Sequence, residues 1–237
     1  MISVIIPTYQ CARTIFQCLE RLLLQRGAEF EIIIVDDGST DDTLSLLGPY
    51  RDRVSVLSQD HRGASAARNA GARIAHGRYL FFCDADVILE PNALAIMLET
   101  LTNNPQSAYV YCPFKFGRRL MNSVRFNAEW LRRFNYISTM SLIRQPDFPG
   151  FDESLKRFQD WDLWLTLLKR GKTGTLTPKP LFQTLDRPGI SGSRIGQAEA
   201  ELIIRIKHKL TVPSFGQRIV WRIGFALYTI WSQSLAR

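Results

Sequence analysis

From Ile2 to Ile6 the chain is a β-branched apolar run ended by Pro7, and from Ala12 to Gln25 apolar residues return at helical spacing, at Ile15, Leu19, Leu22 and Leu23, until Gly27 closes the segment. That reads as strand, then helix. Phe30 to Val35 is a second apolar run with one acid, Glu31, broken by Asp36-Asp37-Gly38-Ser39, after which Thr40-Asp41-Asp42 can cap a helix through Leu47. Val54 to Leu57 predicts a third strand, Ala64 to Ala75 a helix ended by His76-Gly77, and Tyr79 to Cys83 a fourth strand stopped by Asp84-Ala85-Asp86. Pro91 then opens a helix to about Leu101. Strands alternating with helices in this way predict an α/β fold: a mostly parallel central sheet with helices on both faces.

The second half is less regular. Ala108 to Phe116 reads as one strand, Asn127 to Asn135 as a basic-aromatic helix, and Ile137 to Ile143 as another strand. Asp160 to Arg170 and Ser193 to Leu210 read as helices, the first amphipathic and stopped by Gly171. No repeat or linker interrupts the chain before Pro213, so the expected organisation is one domain over residues 1–212 and an appended helix over 213–237.

Composition narrows the class. At 237 residues and 46% hydrophobic, the chain suits a single substantial core. Met1-Ile2-Ser3 enters an apolar strand at once, without the features of a secretory signal, so the chain is expected to start here and to be cytoplasmic. The apolar stretch from Ile223 to Trp231 is well short of the roughly 20 residues that span a bilayer. Cys11, Cys18, Cys83 and Cys112 form no C-x-x-C pair, which suits a reducing compartment and argues against zinc. The formal charge of +8 favours an anionic neighbour: nucleotide phosphates, nucleic acid or acidic lipid. Nucleic acid is disfavoured, because no helix-turn-helix, zinc finger or basic-aromatic ribonucleoprotein motif is present.

In an open α/β sheet, ligands bind beyond the carboxyl ends of the parallel strands. Pro7-Thr8-Tyr9, Asp36-Asp37-Gly38-Ser39 and Asp84-Ala85-Asp86 occupy three such ends. A D-x-D taken alone is an ordinary turn. Just past a buried strand, and paired with a second acidic cluster, it can hold a hard cation such as Mg²⁺ or Mn²⁺, which takes oxygen ligands and leaves positions for substrate phosphates.

Val4-Ile5-Ile6-Pro7-Thr8-Tyr9, Val35-Asp36-Asp37-Gly38-Ser39-Thr40-Asp41, Ala67-Arg68-Asn69-Ala70-Gly71, Asp84-Ala85-Asp86 and Gln159-Asp160-Trp161-Asp162-Leu163-Trp164 together closely resemble family-two glycosyltransferases of the GT-A fold. The resemblance covers about the first three quarters of the chain. It implies a metal-dependent, inverting transferase that moves a sugar from a nucleotide-diphosphate sugar, of the UDP-sugar type, to a hydroxyl of a glycan or lipid-linked acceptor. It further implies that Pro7 and Tyr9 line the base pocket, with Tyr9 stacking, that Asp37 together with Asp36 receives hydrogen bonds from base or ribose, and that Arg68 reaches the nucleotide past Gly63. Asp84 would face ribose and metal, Asp86 would bind the metal (Mn²⁺ or Mg²⁺), and Asp160 would be the catalytic base.

The chain departs from the family in two places. Gln159 stands where relatives carry a glutamate, and the loop from Asp186 to Arg194 lacks the histidine that many use to close over the diphosphate. Arg187 or Arg194 can clamp phosphate from that loop, or the loop can be solvated surface. Asp160 also suits a plain helix-capping acid, Trp161 and Trp164 read as core residues, and His61, His76 and His208 as surface or capping residues.

From Arg218 to Leu235 a helical projection separates Arg218, Arg222, Thr229 and Gln233 from a wide apolar face of Ile219, Ile223, Leu227, Ile230 and Trp231. Two placements follow: peripheral contact with an acidic membrane surface, or packing on the domain or a partner. Among rivals, no G-x-G-x-x-G, no P-loop and no glycine-rich phosphate loop follows the first strand. A catalytically silent nucleotide-sugar-binding protein of the same fold is the remaining alternative, and the presence of Asp84, Asp86 and Asp160 speaks against it.

Overall fold

In the computed structural model, which describes residues 1–117, 119–185 and 196–234, the first predicted strand is β1 (Ile2–Thr8) and it runs through Pro7. Ile5 O accepts a hydrogen bond from Cys83 N on one side of β1, and Thr8 O accepts one from Asp37 N on the other. Residues two apart in a strand point the same way. The missing N–H of Pro7 therefore faces the side where strand pairing has already ended at Ile5, and no ladder bond is lost.

Next come α1 (Ile15–Leu23), β2 (Phe30–Asp36), α2 (Thr43–Leu46), β3 (Ser55–Ser58), α3 (Ala64–Ile74) and β4 (Tyr79–Phe82). The middle of the chain holds β5 (Val87–Leu89), α4 (Ala93–Thr102), β6 (Tyr109–Tyr111), β7 (Phe114–Phe116), β8 (Arg119–Met121) and α5 (Ala128–Arg133). The last third holds β9 (Leu142–Arg144), α6 (Gln159–Lys169), β10 (Gly174–Leu176), β11 (Phe182–Thr184), α7 (Gln197–Lys207) and α8 (Phe215–Ser234).

The main sheet runs β10-β6-β9-β4-β1-β2-β3. β1 is parallel to β2 and β4, β2 to β3, and β6 to β10; β9 alone among these is antiparallel to its neighbours, β4 and β6. Alternation sorts the core. Ile2, Val4, Ile6, Ile32, Ile34 and Phe81 pack against Ile15, Leu19 and Leu22 of α1 on one face, while Ile5, Ile33, Val35, Leu80 and Phe82 pack against α3 and the two tryptophans of α6 on the other. Both faces are covered, as expected of a mostly parallel sheet. The acid of the second strand, Glu31, is accounted for by hydrogen bonds from Ser3 Oγ at 2.6 Å and His76 N at 2.7 Å.

Ala108 to Phe116 does not form the single strand predicted. It divides at Cys112-Pro113, where the chain lacks an N–H, and β7 leaves β6 for a second sheet ordered β5-β11-β7-β8. That second sheet had no clear period-two signal, since its strands are three residues each. The strand predicted over Ile137 to Ile143 is reduced to β9.

Gly71 shows how closely α3 lies on the sheet. A Cβ there would sit 2.5 Å from Ile5 Cγ2 and 3.2 Å from Val35 Cγ2. Glycine to alanine in a helix ordinarily gains up to about 1 kcal/mol, but overpacking a dense core costs about 1–3 kcal/mol. We expect Gly71→Ala to lower the urea midpoint, because both neighbours are fully buried; an unchanged or higher midpoint would show that α3 can lift off the sheet freely.

The connection expected to divide the chain near residue 213 falls between α7 and α8. α8 lies on α5, with Phe225 edge-on to Trp130 at 5.5 Å and 5.4 Å from Phe134. Arg205 of α7 is buried between Trp161, 5.2 Å away, and Trp221 of α8, 5.7 Å away. Its guanidinium donates to Glu201 Oε1, Thr211 O and Arg133 O at 2.8, 2.8 and 2.9 Å.

Candidate active site

Because β1, β2 and β4 are adjacent and parallel, their carboxyl ends bring Tyr9, Asp36-Asp37 and Asp84 to one side of the sheet. Gln10 holds the first two together. It sits in the left-handed region (φ 52), its Nε2 donates to Thr40 Oγ1 at 2.9 Å, and its Oε1 accepts from the N–H groups of Thr40 and Asp41 at 3.2 and 3.1 Å. Pro7 lies partly buried just beneath this junction.

Asp37 is the anchor of the loop that leads into α3. Its Oδ1 accepts from Gln59 Nε2 at 2.7 Å and Arg62 N at 2.9 Å, and its Oδ2 from Gly63 N at 2.8 Å, with His61 Nδ1 2.9 Å away. A base or ribose donor reaching this carboxylate has to share or replace one of those contacts. Asp36 is different: Oδ2 accepts from Ser39 N at 3.1 Å, whereas Oδ1 is buried with no partner. Buried polar atoms are rarely left so, and an unpaired acceptor at a strand end is a ready receiver for a ligand N–H or O–H.

His61, which the sequence suggested to be a surface residue, stacks on Tyr9 with ring centroids 4.0 Å apart. One face of the exposed Tyr9 ring is thus covered by His61, itself exposed as expected. Gly63 caps α3 with φ 92, and a Cβ there would meet no protein atom within 4 Å. The glycine serves the backbone conformation and leaves the approach open.

Arg68 and Asn69 of α3 join the end of β4 to the loop before α6. Arg68 Nη2 donates to Asp84 Oδ1 at 2.7 Å, the arginine side chain being 10% exposed and the aspartate 41%. Its Nε is buried without a partner, and its guanidinium lies 5.5 Å from the Phe151 ring. The Asn69 side chain pins the loop before α6: Nδ2 donates to Phe151 O at 2.9 Å and Oδ1 accepts from Phe151 N at 2.8 Å.

Asp86 follows Asp84 with Ala85 between them, is partly buried, and its carbonyl accepts from Leu185 N at 2.7 Å. Hydrogen bonding to Cys18, burial, and the charges of Asp84 and Asp86 together push the Cys83 thiol well above its usual range, so it stays protonated beneath them. Among the described residues no three acid, histidine or cysteine side chains form a metal cage. Two carboxylates do fit an Mg²⁺ or Mn²⁺ whose remaining positions go to substrate phosphates and water, which is how these ions usually sit in nucleotide sites.

Asp160 opens α6, just after Phe158, whose φ of 57 is unusual for a non-glycine residue. Burial pushes its carboxyl above the ordinary carboxylate range, opposed by a hydrogen bond from the Asn135 side chain, by Trp161 N at 2.9 Å and by the charge of Arg68. A carboxylate of raised basicity suits proton abstraction. Gln159 turns away to Leu155 O at 3.1 Å. Trp161 and Trp164 are core residues, as expected, with Nε1 donating to Leu131 O and Ile137 O.

Three supporting residues were not apparent in the sequence. Asn135 touches Asp160 from the turn after α5. On the opposite side of α6, Asp162 is buried and held by His208 Nε2 at 2.7 Å and Lys207 Nζ at 2.8 Å. His208, read as a surface or capping residue, is the C-cap of α7, but its side chain is buried rather than at the surface and ties the end of α7 to the helix that carries Asp160, through a contact 46 residues apart in sequence. Arg187 and Arg194 lie outside the described residues.

The profile of the family described as "Glycosyl transferase family 2" matches residues 3–155 and ends five residues before Asp160. A chondroitin synthase of Escherichia coli is 32% identical over 184 residues, which is 72% of this chain but 27% of that protein. Among solved structures, S. aureus TarS 1-349 with UDP-GlcNAc superposes with a TM-score of 0.69 at 21% identity over 87% of this chain and 66% of that one. Mannosyltransferase PcManGT from Pyrobaculum calidifontis, with GDP-Man and Mn²⁺, gives a TM-score of 0.70 at 17% identity over 98% of this chain and 71% of that one. At these identities the two structures speak for the fold, the GT-A arrangement expected from the motifs.

Proposed function

The chain belongs to glycosyl transferase family 2, and from that membership we propose that it transfers a sugar from a UDP-sugar to a hydroxyl of a glycan or lipid-linked acceptor, inverting the anomeric configuration. The observation that carries this reading is the Arg68 bridge: one buried guanidinium pairs with Asp84 at 2.7 Å and lowers the charge cost of Asp160. In this reading Arg68 links a donor-side acid, Asp84, with an acceptor-side base, Asp160, drawn from separate parts of the sequence.

In this reading the base stacks on Tyr9, Pro7 closes the floor of its pocket, Asp36 and Asp37 take its hydrogen bonds, Gly63 leaves room for the ribose, and Asp84 faces that ribose. A divalent cation held by Asp84 and Asp86, Mn²⁺ or Mg²⁺, would offset the charge growing on the leaving diphosphate. Asp160 accepts the proton of the acceptor hydroxyl while that oxygen bonds to the anomeric carbon and the bond to the diphosphate oxygen breaks, its electron pair leaving with the nucleoside diphosphate. Attack opposite the leaving group inverts the centre. The UDP-GlcNAc in TarS and the Mn²⁺ in PcManGT support a nucleotide-sugar and metal requirement of this kind.

Residues 1–212 form the transferase domain in this proposal and 213–237 the appended helix. Four buried free thiols suit a reducing, cytoplasmic compartment, and no described helix is long and apolar enough to cross a membrane.

A thermal-shift screen of nucleotide sugars with and without Mn²⁺ tests the donor class. A ligand at 100 times its Kd stabilises the native state by about 2.7 kcal/mol, which for a chain of this size raises Tm by about 5–10 °C. We expect that rise for a UDP-sugar with Mn²⁺ and much less with chelator. No shift with any nucleotide sugar would remove the transferase reading.

A further inference from the structure

α8 is divided lengthwise. Trp221, Gly224, Phe225 and Tyr228 face the protein: a Cβ at Gly224 would lie 3.0 Å from Trp130, Phe225 packs on Trp130 and Phe134, and Tyr228 is 6.1 Å from Trp130. Phe215, Ile219, Val220, Ile223 and Leu227 face away, with Phe215 81%, Val220 67% and Leu227 63% exposed. At 100° per residue these five cover an arc of about 140°. Scattered exposed apolar residues need no account, but a continuous helical stripe of them does.

The charges around the stripe identify what covers it. α8 has no acidic residue between Phe215 and Ser234. Arg222 is exposed at the edge of the arc, and Arg218 lies beyond it, paired with Glu201 at 3.1 Å. An apolar stripe without acids and edged by the exposed Arg222, on a chain of formal charge +8, matches a surface whose headgroups are anionic and whose interior is apolar. It does not match a second copy of this chain, which would bring two Arg222 edges together.

We propose that the outer face of α8 docks the protein on an anionic lipid surface, the helix lying flat with Phe215, Ile219, Val220, Ile223 and Leu227 between the headgroups. The inference is independent of the catalytic reading, because lipid binding needs neither donor nor base. It also has a place in the fold: Phe134, against which α8 packs, directly precedes Asn135, the partner of Asp160.

Flotation of the full chain with vesicles of phosphatidylcholine alone, or with phosphatidylglycerol added, tests this. Binding is expected only with phosphatidylglycerol and falls steeply towards about 0.5 M NaCl. The triple variant Ile219→Ser, Ile223→Ser, Leu227→Ser is expected to lower the partition at least tenfold, and Arg222→Gln about fivefold. All four side chains are exposed, so circular dichroism and the urea midpoint should match the parent; nucleotide thermal shifts should match as well. Equal flotation by the triple variant, or no flotation of the parent, overturns the proposal. So does a parent dimer that the triple variant makes monomeric without any vesicle binding, which would give the face to a second copy.

Discussion

Asp160→Asn loses sugar transfer by about three orders of magnitude, within the range that a positioned general base contributes, while the Kd for the donor stays within about twofold. Single-turnover product formation and donor titration by calorimetry separate the two effects. The pH profile adds a second check with a defined sign. Burial raises the Asp160 carboxyl above the ordinary carboxylate range despite the opposing Asn135, Trp161 N–H and Arg68 contributions. The rate therefore falls as pH drops through that raised value, and the acid limb lies above the value of about 3.9 of a free aspartate. Asn135→Ala removes a contact that favours the ionised form and moves the limb to higher pH. Stability follows the same linkage: between the unfolded and the raised folded value the native state binds more protons, so stability declines as pH rises through that window. At neutral pH the asparagine variant should melt higher than the parent, an inactive protein made more stable. Full transfer by Asp160→Asn, or a lower melting point with unchanged activity, would make Asp160 a helix cap and nothing more.

Asp86→Ala is expected to abolish the effect of Mn²⁺ on donor binding. If Asp84 and Asp86 are the carboxylates that hold the cation, losing one leaves it a single protein carboxylate, and we expect a loss in donor affinity on the order of 100-fold with Mn²⁺ and little change in chelator. Asp84→Ala is the informative contrast. It removes the partner of Arg68, whose Nε is already unpaired and whose side chain is buried, so it should lower the unfolding midpoint as well as the affinity. Retained Mn²⁺ dependence in Asp86→Ala would place the cation elsewhere.

The parallel half of the fold was legible because its signals are local. Each of β1, β2 and β4 is an apolar run ended by a polar cluster, and those clusters had to meet once the strands were parallel neighbours. The small second sheet was not legible: three-residue strands carry too little period-two pattern, and Pro113 divides what composition presents as one strand. The site follows the same division. Asp84 and Asp86 stand out by residue type and place, and Asp160 by the family resemblance. Asn135, His208 and the role of Asn69 depend on contacts across tens of residues, such as the bond between His208 and Asp162, and no local pattern encodes them. For Asp37 the sequence indicated an acceptor but not that the loop before α3 already supplies donors to both of its oxygens.

Arg205 has a practical implication for anyone trimming the protein. With its guanidinium layered between Trp161 and Trp221, the last helix is not a removable tag: cutting the chain ahead of Ser214 strips one aromatic lid from a buried cation and lets water reach the underside of α6. A shortened version chosen for convenience in crystallisation or assay would report on a loosened enzyme, and low turnover in it would be a fault of the cut.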